Sequence, residues 1–177
     1  THRWEAFGTY QLPTAERLML QFSANGHRQN SVYGDMSYIA AQHISFGQLT
    51  WDKTLGSGHD LLAGAALRHT LYSDNTPATD EGPSKVWLPG LFVQDQVALN
   101  GQNTLLLGLR YDRNSVHGNI ITPRLNYKWN ARDQWTVVRV SAGSGYRVAN
   151  IFTEDHAALT GAREVVVVSD LNPERSN

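Results

Sequence analysis

Residues 121–130 alternate without a fault. Ile121, Pro123, Leu125, Tyr127 and Trp129 take one set of places, and Thr122, Arg124, Asn126, Lys128 and Asn130 take the other. A helix would mix the two sets around its axis, whereas a strand sends them to opposite faces. One face is apolar and the other carries an arginine and a lysine. Such a strand separates two different environments.

The same period recurs along the chain. Thr104 to Arg113 sets Leu105, Leu107, Leu109 and Tyr111 against Thr104, Leu106, Gly108, Arg110 and Asp112. Arg17 to Ala24 groups Leu18, Leu20, Phe22 and Ala24, and the opening stretch sets Trp4, Ala6, Tyr10 and Leu12 against Arg3, Glu5, Thr9 and Gln11. Asp60 to Tyr72 places Leu61, Ala63, Ala65, Leu67 and Leu71 opposite Gly64, Arg68 and Thr70. Trp135 to Ser144 places Thr136, Val138, Val140 and Ala142 against Arg139 and Ser141. Two segments break the rule. In Tyr38 to Lys53 the phase set by Ile44 and Phe46 flips before Leu49 and Trp51, which suggests a bulge or a misread register. In Leu88 to Leu99, Asp95 falls on the face of Val93 and Val97. About eight strands result.

The connections predict a sidedness. Leu12 to Glu16, Gly56 to His59, Asn100 to Asn103 and Asn130 to Gln134 are short and rich in Gly, Asn or Pro, as hairpin turns require. Between them Asn25 to Ser37, Ser73 to Val86, Asn114 to Ile120 and Gly145 to Asp170 read as longer loops. Short turns at one end and longer loops at the other are the asymmetry of an outer-membrane barrel, with the short turns periplasmic. Aromatic residues gather near strand ends: Trp129 and Trp135 flank one short turn, Trp51 and Tyr10 precede others, and Tyr72 and Tyr111 lie near the longer loops. Amphipathic rings suit the headgroup layer at such places.

Composition closes off other classes. The longest apolar stretch, Leu61 to Leu67, is far short of the roughly 20 residues a spanning helix needs. A mean hydropathy of −0.39 is compatible with a barrel, because only alternate residues face lipid. Net charge is −1, so no basic field gathers nucleic acid. There is no cysteine, which excludes a disulfide framework and thiol catalysis. The seven histidines are scattered and form no close ligand pair, so neither a metal nor another cofactor is expected. Ser144 and His156 are present, but no G-x-S-x-G elbow exists, and the chain does not read as an enzyme.

The stretch Ser141-Ala142-Gly143-Ser144-Gly145-Tyr146-Arg147-Val148-Ala149-Asn150-Ile151-Phe152 resembles the S-x-G-x-G-[YF]-R-A-P-N strand-to-loop signature of TonB-dependent outer-membrane receptors. Leu171-Asn172-Pro173-Glu174-Arg175-Ser176 is similar to the same family's L-x-P-E-x-S segment. Upstream, Phe92-Val93-Gln94-Asp95-Gln96, Leu107-Gly108-Leu109-Arg110-Tyr111-Asp112 and Pro123-Arg124-Leu125 resemble its F-x-Q-D, L-G-[LV]-R-Y-D and P-R-[LV] strands, in family order. The chain departs from the signature at Val148-Ala149, where the family has Ala-Pro.

The resemblance implies an all-β fold: an antiparallel transmembrane β-barrel segment of about eight strands, part of a larger barrel of 22 strands. Residues 1–177 would then belong wholly to the barrel domain, as an internal piece without the plug domain or the C-terminal strands. The function implied is TonB-coupled uptake of a scarce large solute of the siderophore, cobalamin or oligosaccharide class across the outer membrane of a Gram-negative bacterium. The implied partners are the TonB energy-transducing complex (through the plug), outer-membrane lipid, and a small-molecule or oligosaccharide ligand. Arg68, Arg110, Asp112, Arg124 and Arg139, with Lys128, fall on non-lipid faces and are expected to face the lumen. Arg147, Asn150, Glu154, Asp155, His156 and Arg163 lie in the longest loop and are the candidate ligand contacts, on the strength of its length and polarity. Glu164 to Val168 reads as a short strand within that loop. Two other readings stand beside this one: a complete small eight-stranded outer-membrane barrel with a structural or adhesive role, and a soluble β-sandwich binding module or a barrel hydrolase.

Overall fold

A computed structural model of the chain describes residues 1–76, 79, 82–133, 135–147 and 173–176. Eight strands form one sheet: β1 (His2–Gln11), β2 (Arg17–Tyr33), β3 (Met36–Leu55), β4 (His59–Asp74), β5 (Ser84–Ala98), β6 (Asn103–Asn114), β7 (Gly118–Asn130) and β8 (Val137–Gly143). Each is antiparallel to the next, in the order β1-β2-β3-β4-β5-β6-β7-β8. β9 (Gly145–Arg147) and β10 (Glu174–Ser176) pair as a separate two-stranded ribbon. β1 and β8 are not hydrogen-bonded to each other, so the sheet is not itself closed. That rules out the small complete eight-stranded barrel and is consistent with a section of a larger wall.

Residues directly opposite across an antiparallel pair share a face. One row therefore runs Tyr10, Leu20, Leu49, Ala65, Leu91, Tyr111 and Ile121 across seven strands. A row of the other face runs Gln11, Met19, Thr50, Gly64, Phe92, Arg110 and Thr122. The apolar face is open: Leu20, Leu49, Leu91, Val93, Leu107, Leu109, Ile121, Leu125 and Val140 are all exposed. Among the described residues the only buried hydrophobic side chains are Tyr38, Ala66 and Ile120. A sheet must bury its apolar face against another layer, and here the layer is not protein. The soluble sandwich fails on this point, whereas hydrocarbon supplies the missing layer.

The predicted bulge in β3 does not exist. Its register to β2 and to β4 runs unbroken through Ile44, Phe46, Leu49 and Trp51. Ile44 and Phe46 lie on the polar face, opposite Thr70 and Arg68, while Leu49 and Trp51 lie on the apolar one. The pattern flips because the inner face accepts apolar side chains, not because the chain does. Asp95 does stand on the outward face, where its Oδ2 accepts from His59 Nδ1 at 2.7 Å.

Two of the four longer connections are not the loops the sequence predicts. Asn25 to Ser37 is mostly strand: β2 and β3 continue to a two-residue turn at Gly34-Asp35, with Gly34 at φ 63°, where only glycine is at ease. Asn114 to Ile120 closes in three residues between β6 and β7. Between β4 and β5, the described residues 75, 76, 79, 82 and 83 are not strand, and the Asp74 carboxylate accepts from Tyr72, Thr76 and Thr79. Most of Gly145 to Asp170 lies outside the described residues, as does Glu164 to Val168. The sidedness is real but resides in strand length. β2 has 17 residues and β3 has 20, where about 9–11 tilted residues cross a membrane. Their hairpin rises well beyond the apolar band.

Candidate functional site

The polar face is organised around one ion pair. Arg110 and Asp112 are two apart on β6 and so point the same way. Arg110 Nε donates to Asp112 Oδ2 at 2.7 Å, and Nη2 donates to Oδ1 at 2.7 Å. Asp112 is 2% exposed, the most deeply buried large side chain described. Its space comes from Gly90, its partner on β5. A Cβ at Gly90 would meet Asp112 Oδ1 at 2.1 Å, so no other residue fits without displacing the carboxylate. The guanidinium also stands 5.8 Å from the Phe92 ring centroid, within cation–π range. A bidentate pair of this kind neutralises a carboxylate that burial would otherwise penalise heavily.

Arg68, Arg124 and Arg139 share the face of Arg110 and Asp112, as the sequence predicts. Only Arg110 and Asp112 touch. Arg124 lines a concavity of about 620 Å³ with Gln94, Gly108, Arg110, Asn126 and Ser141. Lys128 and Arg139 are direct cross-strand partners, a like-charge juxtaposition that costs stability unless an anion answers it. Among the described residues no carboxylate lies within ion-pair distance of Arg68, Arg124, Lys128 or Arg139. The inner face is thus net cationic, with room for something else.

Of the predicted loop contacts only Arg147 is described. It sits in β9 opposite Glu174, with Nη1 4.0 Å from Oε2. Asn150, Glu154, Asp155, His156 and Arg163 lie outside the described residues. Sequence reasoning missed Gly90 and Tyr146, the latter within electrostatic reach of Asp112, Arg110 and Arg68. An Arg and an Asp at i and i+2 on a strand is a legible signal for the pair; nothing marks Gly90 as its cradle until the register is known. The expected aromatic girdle holds for Tyr10, Trp129 and Tyr111, all outward and exposed. Tyr72 is a correction: it lies on the polar face opposite Gln42, its hydroxyl bonded to Tyr38 at 2.8 Å and to Asp74 at 2.6 Å. Two polar partners hold it inside.

At the short-turn end, outside the membrane, Glu16 accepts from Lys53 Nζ at 2.7 Å and from Trp51 Nε1 at 2.8 Å. These bonds favour the ionised form and hold its carboxyl below the usual range. Asp133 likewise accepts from the Thr136 and Trp135 backbone amides and the Thr136 hydroxyl, which lowers its pKa and closes the β7–β8 turn.

A family model described as "TonB dependent receptor-like, beta-barrel" matches residues 2–177. The chain belongs to the TonB-dependent receptor β-barrel family. Members of this family are outer-membrane transport proteins of Gram-negative bacteria, not enzymes. The iron-regulated outer membrane virulence protein of Vibrio cholerae serotype O1 is 31% identical over 87 residues, covering 48% of this chain and 13% of that protein. The siderophore receptor PirA of Pseudomonas aeruginosa superposes with a TM-score of 0.64 at 18% identity, over 85% of this chain and 28% of PirA. A mutant of the ferric enterobactin receptor PfeA from the same organism gives 0.64 at 14% identity, over 86% and 26%. These likenesses establish the fold of a TonB-dependent receptor wall. The chain spans roughly a quarter of the solved receptors' length.

Proposed function

We propose that this chain is part of the wall of a TonB-dependent receptor that takes up a ferric siderophore, and that its inner face lines the lumen. The observation that carries the reading is the two-faced, uncored sheet: apolar outside, and inside a cationic surface of Arg68, Arg124, Lys128 and Arg139 around the neutralised Arg110–Asp112 pair. Charge on that face needs water, a plug or an anionic solute beside it. A siderophore is favoured over cobalamin or an oligosaccharide because the similar proteins carry iron and siderophore in their names. In this reading the inner cations meet a plug domain, through which the TonB complex delivers energy. Arg147, Asn150, Glu154, Asp155, His156 and Arg163 contact the ligand from outside.

The test is deletion of residues 154–163 in the full-length receptor. Folding is followed by heat-modifiable migration, and binding by titration with ferric siderophore, with cobalamin and a maltooligosaccharide as competitors. Folded receptor with at least tenfold weaker ferric-siderophore binding supports the reading. Unchanged siderophore affinity moves the site elsewhere, and tight binding of a competitor instead replaces the substrate class.

A further inference from the structure

The outward face carries charge at both ends, and the two ends treat it differently. At the short-turn end Lys53 is paired with Glu16 at 2.7 Å, and the His59 ring lies 2.7 Å from the Asp95 carboxylate. At the end of the β2–β3 hairpin, Arg28, Lys85 and Arg113 stand exposed on the same outward face. Among the described residues no carboxylate lies within ion-pair distance of any of them. The described acidic residues of the strands at this end, Glu5, Asp74 and Asp112, are all on the inner face.

Two indole–imidazole contacts lie among these cations. Trp4 lies across Gly26, where a Cβ would meet its Nε1 at 2.2 Å, and against His43 with ring centroids 6.3 Å apart. Trp87 stacks on His69 at 4.1 Å. Both indoles are about half exposed, Trp4 at 46% and Trp87 at 48%. Tryptophan gathers where hydrocarbon gives way to headgroups, so the unpaired cations sit at headgroup depth. Guanidinium and ammonium groups at such a depth take phosphate oxygens as their natural partners. At the opposite end the outward strand cation, Lys53, already has Glu16 as its partner.

We infer that this band docks the phosphorylated headgroups of outer-leaflet lipid, held by Arg28, Lys85 and Arg113 against the Trp4 and Trp87 rings. The assignment rests on the outer-membrane placement, with the long hairpin extracellular. It does not depend on which solute is carried.

The experiment uses the full-length receptor in neutral detergent, titrated by native mass spectrometry with bis-phosphorylated lipid A, its fully dephosphorylated counterpart and inorganic phosphate. Arg28→Gln, Lys85→Gln and Arg113→Gln are made singly and together, with Lys53→Gln as the control at the other end. Each surface cation contributes about a fivefold factor to binding an anionic lipid surface, so the triple variant should lose on the order of 100-fold. Lys53→Gln should change nothing, and dephosphorylated lipid should bind wild type as weakly as phosphorylated lipid binds the triple variant. Equal binding by wild type and triple variant overturns the proposal, as does equal binding of the two lipids. Displacement by low-millimolar inorganic phosphate would make this a free-anion site and overturn it too. If the triple variant fails the heat-modifiability check, the single variants carry the test at fivefold each. Siderophore titration of the same samples keeps failure of the transport reading separate from failure of this one.

Discussion

An arginine placed on the outward face of β6 should be judged by what stands across from it. Leu109 is six residues above the turn at Asn103, about 20 Å along the strand and about 15 Å along the membrane normal at the tilt usual for such barrels. Leu107 lies about 10 Å from the same end, so the two bracket the middle of a band about 25 Å tall. Both are exposed, at 50% and 45%. Leu109 is flanked by Val93 and Pro123, with no polar group to answer a charge. Leu109→Arg should therefore cost the full ~2–4 kcal/mol of an arginine near the midplane. Leu107 is instead directly opposite Asp95. The Oδ1 of that carboxylate is buried and has no hydrogen-bond partner among the described residues. A guanidinium at 107 supplies one, and a charge-assisted bond recovers about 1.5–3 kcal/mol. Leu107→Arg should then be much the milder change. Gly108 faces inward, where a Cβ would meet Arg124 Cβ at 3.7 Å, an ordinary contact, so Gly108→Ser should be within about 0.5 kcal/mol of neutral.

The assay is the folded fraction of full-length receptor in outer-membrane extracts, read as heat-modifiable migration, with the guanidinium midpoint of the purified protein beside it. The expected order is Gly108→Ser near wild type, Leu107→Arg lower, and Leu109→Arg lowest. Leu109→Arg assembling as well as Gly108→Ser would refute the facing. Leu107→Arg proving worse than Leu109→Arg would refute the role given to Asp95.

Gly90→Ala should drive the Asp112 carboxylate out of its bidentate contact and cost about 1–3 kcal/mol of overpacking; a guanidinium midpoint indistinguishable from wild type would show that the cradle is not tight. At the short-turn end, the Glu16 carboxyl is held low by Lys53 and Trp51. A depressed folded pKa gives stabilisation that is present above the ordinary carboxylate pKa and is lost as pH falls through the folded value. The fluorine resonance of 5-fluorotryptophan at Trp51 should therefore move with a midpoint below the ordinary glutamate range in the intact receptor, and Glu16→Gln should abolish the step.

How much of this was legible beforehand followed the membrane. Where a strand has lipid on one side, alternation is obligatory, and the faces of β1, β4, β6, β7 and β8 could be read directly from residues such as Leu105 to Tyr111. Above the bilayer the demand lapses. Gln29 to Ser31 has water available on both sides and shows no period, so the continuation of β2 read as loop although its backbone stays paired to β3. The inner face is legible only in part, because it tolerates Ile44 and Phe46 as readily as Gln48. Spatial neighbours such as Gly90 and Asp112 are 22 positions apart in the chain, and only the register joins them. The ligand-contact candidates were chosen on loop length, which says nothing about which side chains converge.

The near absence of a protein core decides where this chain can tolerate change. A soluble domain draws its stability from close-packed apolar contacts, and here those are scarce within the sheet. What holds the sheet is the unbroken ladder from β1 to β8, since every backbone group left unpaired in hydrocarbon costs several kcal/mol. Outward leucines can therefore exchange for other apolar residues at little cost, because lipid adapts to their shape as a protein neighbour would not. The inner Arg110–Asp112–Gly90 cluster has no such freedom. Its three positions constrain each other at contact distance, and it lies on the face that must stay polar. Tolerance outside and constraint inside invert the usual distribution of a globular protein, as expected when the solvent is on the apolar side.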